Sequence, residues 1–74
     1  MLINYGNKKS INLMPGNLIK FIHVTGQQHH NSIFISARHL SFPREGITYI
    51  TLLTPDGIIE DLNSNLIWKL EIIQ

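Results

Sequence analysis

Arg38 and His39, with Phe42 and Arg44 shortly beyond them, form the densest group of side chains able to recognise a ligand. A guanidinium pairs bidentately with phosphate, and Phe, Tyr or His stacks on a base. With His29, His30, Asn31 and Tyr49 drawn from neighbouring segments, these types suit a small pocket for a compact anionic, aromatic ligand. The competing account is structural, with Arg38 and Arg44 as solubilising charges and Phe42 plugging one end of a small barrel. The adjacent His29 and His30 would point to opposite sides of an extended chain, and there are no cysteines, so neither a metal site nor a cofactor is expected.

A catalytic reading finds little to build on. Ser32, Ser36 and Ser41 lie near histidines in sequence, but no G-x-S-x-G elbow frames any of them. Glu60 and Asp61 follow a turn and suit capping or solvation better than acid–base work, and no Gly-rich phosphate loop is present. The expectation is a binding protein without enzymatic activity.

These groups must be positioned by a very small scaffold. A chain of 74 residues makes one domain with a thin core, which favours self-association, and homo-oligomers are expected. Hydrophobic residues are 43% of the chain and charged residues only 15%, against roughly 25% charged in an average soluble domain. The net charge of +1 argues against a long polyanion as first-choice partner, because gripping a phosphate backbone takes a cation per neutralised phosphate. No stretch approaches the ~18 apolar residues of a membrane span, and no signal-peptide h-region follows Met1, so the expected location is the cytoplasm, with no membrane partner.

Short Ile-rich runs separated by Gly, Pro, Asn and Asp predict strands and tight turns. Strands are expected at 18–24, 33–40, 47–53, 58–62 and 66–73, with 1–5 as a short edge strand that Gly6-Asn7 turns toward 10–13, and 25–32 and 41–46 as polar loops. Pro15-Gly16-Asn17 and Thr54-Pro55-Asp56-Gly57 are the clearest turns, and Asn63-Ser64-Asn65 suits a turn of 3₁₀ helix. In the closing strand, alternation places Trp68 with Leu70 and Ile72 on a core-facing side. Long open edges invite aggregation, so the economical architecture is all-β, a small SH3-like, partly open barrel of five to six antiparallel strands.

Two stretches carry a resemblance: PGNLIKF at Pro15 to Phe21, and LLTPDGIIEDLNSNLIWKLEII at Leu52 to Ile73. Together they resemble small SH3-like proteins encoded by tailed bacteriophages, in which a P-G-D-L-V-x-F opening strand precedes a V-L-x-x-D-G-x-I-E hairpin and a W-x-x-L-E-V-I closing strand. Asn17 stands where that pattern often has Asp, and the middle segment is unusually rich in Gln and His. The resemblance implies the barrel. It is also compatible with two functions found among small phage proteins, sequestration of cyclic nucleotide immune signals and binding of host machinery.

Three functions follow as expectations. The first is a non-catalytic protein that sequesters a small nucleotide-type immune signal in the cytoplasm of a host cell, with pockets at subunit contacts. The second is an SH3-like module for nucleic acid or a host nucleic-acid machine, disfavoured by weak charge and by the lack of an evident aromatic-basic stripe in the sequence. The third is a protein inhibitor docking through the edge at Met1 to Tyr5.

Overall fold

The computed structural model describes residues 1–40 and 46–74. Seven strands follow one another: β1 (Leu2–Tyr5), β2 (Lys9–Asn12), β3 (Leu18–His23), β4 (Gln28–Leu40), β5 (Ile47–Leu53), β6 (Ile59–Asn63) and β7 (Ile67–Ile72), with a 3₁₀ turn at Ser64–Leu66 before β7. β3 to β7 form one five-stranded antiparallel sheet in the order β6-β5-β4-β3-β7, and β1 and β2 form a separate hairpin. The fold is all-β as expected, and the sheet is not closed into a barrel: β6 and β7 are its two edges.

The turns form where the sequence places them. Met14 and Asn17 hold the Pro15-Gly16 turn through two bonds, Asn17 N donating to Met14 O (3.0 Å) and Met14 N to Asn17 Oδ1 (2.7 Å). Asn17 thus supplies the acceptor that Asp would offer. Gly57 N donates to Thr54 O (2.9 Å) to close the β5–β6 hairpin. Asn63 Oδ1 caps the 3₁₀ turn by accepting from Asn65 N (3.0 Å).

The main departure concerns residues 25–32, expected as a polar loop. Only a tight turn centred on Val24-Thr25 separates β3 from β4, closed by Gly26 N donating to His23 O (2.8 Å) and His23 N to Gln27 O (2.8 Å). The chain can then re-enter the sheet at Gln28, so β4 runs for 13 residues and carries His29, His30 and Asn31 as strand residues. A bulge accommodates them: the register slips between Ile19 and Phe21, and Asn31 takes φ +58°, a conformation Asn tolerates better than most side chains.

Ile3, Leu13, Ile19, Phe21, Phe34, Ile50, Leu52, Ile67 and Leu70 make the core, with Phe34 fully buried on the central strand. The hairpin supplies Ile3, flanking Leu13 packs with it, and the 3₁₀ turn ties the hairpin down. Ser64 is fully buried and its hydroxyl donates to Asn4 O (2.8 Å), while Gly6 N donates to Ser64 O (3.0 Å).

Gly6 has φ +56°, and a Cβ there would lie 2.7 Å from the carbonyl oxygen of Ile67. Gly6→Ala is therefore expected to cost about 2 kcal/mol or more, combining left-handed strain with a backbone clash. Urea unfolding followed by far-UV circular dichroism checks this. An unchanged midpoint would mean that the hairpin does not press on β7.

Candidate aromatic and basic surface

The structure divides the residues expected to form one pocket. His29 and His30 lie near one end of β4, where it pairs with β3, and Arg38 and His39 near the other, where it pairs with β5. Nine residues of strand at about 3.3 Å each separate His29 from Arg38 by roughly 30 Å of chain. Phe42 and Arg44 lie outside the described residues. A single pocket built from both groups is not what the sheet assembles among the described residues.

Each group also has partners of its own. His29 stacks on Phe21 with ring centroids 4.6 Å apart and planes 12° from parallel, which makes it a packing residue. His30 is exposed at the rim of a shallow cleft bordered by Lys20, Phe21, Gln28, Lys69 and Glu71. At ≈ 100 Å³ this cleft is smaller than the roughly 300–1,000 Å³ of pockets that enclose a small ligand. Asn31 serves the bulge.

Arg38 lies with its guanidinium carbon 5.8 Å from the Tyr49 ring centre and pairs with the Asp61 carboxylate at 3.3 Å. That carboxylate also accepts from the Thr51 hydroxyl (2.6 Å). An arginine already neutralised in this way is a weaker phosphate ligand than a free one. His39 Nδ1 shares a hydrogen with Thr48 Oγ1 (3.0 Å).

Trp68, expected in the core, is 59% exposed. The β3–β7 register slips so that Ile22 opposes Lys69 while His23 opposes Ile67, leaving Trp68 as the extra residue of a bulge. Alternation fails at that point. Ile67 and Leu70 turn inward and Trp68 and Lys69 turn out together. Ile72, which alternation also placed inward, is 43% exposed near the end of the strand.

Lys9 of the hairpin reaches across to this indole, its Nζ 5.8 Å from the ring centre and bonded to Trp68 O at 2.6 Å. Beside it, Asn4, Tyr5, Gly6, Lys8, Lys9, Ser10 and Asn65 line an open groove of ≈ 340 Å³. Lys8 at the hairpin turn holds φ +58°.

Charge is segregated across the sheet, although the total is nearly neutral. Among the described residues, Lys8, Lys9, Lys20 and Lys69 lie on the hairpin, β3 and β7 against Glu71 alone, whereas Asp56, Glu60 and Asp61 lie on the β5–β6 hairpin against Arg38 on β4. Lys69 (3.1 Å) and Lys20 (3.2 Å) both bridge to Glu71 and together hold its carboxyl below the ordinary value of 4.5. A depressed folded-state value gives stability that is present above 4.5 and lost as the pH falls through the folded value. An NMR titration of the Glu71 side chain is expected to show a midpoint below 4.5 that returns toward it in Lys69→Met; a midpoint at the ordinary value in the parent would mean the bridges do not hold in solution.

Among the described residues no cluster of His, Asp and Glu could hold a metal ion, and no helix is long and apolar enough to cross a membrane. No family model matches the chain, and no curated protein or solved structure matches it either. The surface itself therefore carries the functional argument.

Proposed function

We propose that the protein is a non-catalytic module that binds single-stranded nucleic acid, with a base stacked on Trp68 and neighbouring phosphates met by Lys8 and Lys9. The observation that carries this reading is an exposed tryptophan, 59% accessible, with the Lys9 ammonium 5.8 Å from its ring. An aromatic platform flanked by cations is the arrangement that binds strands with little sequence preference. The weak total charge counts less against it than in the sequence, because the acids lie mainly on the opposite side of the sheet.

Sequestration of a free nucleotide signal draws on the same chemistry but needs a site that encloses its ligand. Both grooves are open, which favours a strand that meets the surface one nucleotide at a time. The phage resemblance of Pro15 to Phe21 and Leu52 to Ile73 is compatible with either ligand.

Trp68 is the only tryptophan, so its fluorescence reports the site directly. Titration with a short oligothymidine is expected to quench it saturably. The affinity should fall with salt at a slope of about −1.4 in log–log terms, from ~0.7 for each phosphate met by the two lysines. Absence of quenching would sink the proposal, and tight binding from a cyclic nucleotide panel instead would replace it with the sequestration reading.

A further inference from the structure

A second surface lies on the outer face of the same sheet. Leu18, Ile33, Leu53 and Ile59 stand opposite one another in register across β3, β4, β5 and β6. Ile73, whose N donates to Leu18 O (2.7 Å), extends the row past the end of β7. Their chain neighbours Ile19, Ser32, Phe34 and Leu52 are buried, so alternation turns this row away from the core. At about 4.8 Å per strand it is an apolar stripe roughly 19 Å long. Ile33 is 37%, Ile73 45% and Ile59 67% exposed, and Ile35, also 37% exposed, lies beside Ile33 along β4.

Of the large apolar side chains exposed among the described residues, Ile33, Ile35, Ile59 and Ile73 gather on or beside this stripe, with half-buried Leu18 and Leu53 between them. Contiguous apolar surface of this kind marks a contact, and a stable homodimer buries roughly 800 Å² per partner, about one sixth of the 5021 Å² this chain exposes.

We infer that the stripe is a self-association face on which two copies pack sheet against sheet about a two-fold axis parallel to β4. An isologous contact requires one patch to complement itself, and the charges around the stripe do so under this axis. Lys20 lies two residues along β3 from Leu18, on the same side of the stripe as the Thr54–Gly57 turn, because β3 and β5 run in the same direction. Rotation about the β4 direction lays β3 and β7 of one copy over β5 and β6 of the other, which brings the bridged Lys20–Glu71–Lys69 cluster, net positive, over the turn that carries Asp56. Asp56 takes part in none of the ion pairs among the described residues. A two-fold along the stripe itself would set β3 over β3 and bring Lys20 toward the Pro15-Gly16 turn, which offers no acid.

Sedimentation equilibrium of the intact chain is expected to give twice the 8.5 kDa chain mass at micromolar concentration. Ile33→Glu and, independently at the sheet edge, Ile59→Lys should each return the monomer mass with the circular dichroism spectrum kept. Asp56→Lys should weaken the dimer about tenfold or more, and adding Lys20→Asp should restore it. Oligothymidine binding at Trp68 is expected to survive all of these changes, which separates this face from the nucleic-acid reading. A monomeric parent overturns the inference, whether or not it binds lipid vesicles or another protein through the stripe. A dimer indifferent to both stripe substitutions overturns it equally.

Discussion

Trp68→Ala is expected to weaken oligothymidine binding roughly 5- to 150-fold, the ~1–3 kcal/mol of one base–aromatic stack. The same change should move folding stability by less than about 1 kcal/mol, because an exposed side chain leaves no cavity behind. The bond from Lys9 Nζ goes to the Trp68 backbone carbonyl and can survive the truncation, so the loss isolates the indole. Anisotropy of a labelled oligonucleotide and urea unfolding measure the two effects separately. Unchanged affinity would remove Trp68 from the site. A stability loss near 3 kcal/mol would return it to the core, as its alternation with Leu70 first indicated.

The largest effect on stability belongs to Phe34→Ala. Phe34 is fully buried on the strand that both halves of the sheet share, and its backbone is pinned to the segment entering β3, its N donating to Asn17 O (2.9 Å) while its O accepts from Gly16 N (2.8 Å). Emptying such a site costs ~3–5 kcal/mol, comparable with the whole stability a core of this size supplies. The variant should be largely unfolded at room temperature by circular dichroism, and Phe34→Leu should fold with a lowered urea midpoint. A fully folded alanine variant would mean that the interior collapses around the gap.

Arg38 keeps one companion that its sequence reading gave it, Tyr49, and gains one that the reading did not, Asp61. The register sets Tyr49 opposite its guanidinium, and β6, paired beyond β5, adds the Asp61 carboxylate that occupies it. His29 and His30 were legible as polar side chains, whereas the stack of His29 on Phe21 depends on a bulge at Asn31. Bulges cost one residue of register and invert every face beyond them, and no local pattern announces them. Trp68 was hidden in the same way. The spacing of Ile67 and Leu70, three residues rather than two, was the one trace it left in the sequence.

By itself, the sequence determined the elements whose causes are local. Gly16, Gly57, Asn17, Pro55 and Asn63 set backbone geometry within four or five residues of themselves, so the all-β class, the hairpin at Thr54–Gly57 and the 3₁₀ turn at Ser64–Leu66 follow from residue types alone. Only the tertiary structure decided which faces look outward and which charges share a side. Both depend on pairing between residues far apart in the chain, Lys9 with Trp68 and Leu18 with Ile33 and Ile73, and a side chain's surroundings are fixed by that register rather than by its neighbours in sequence.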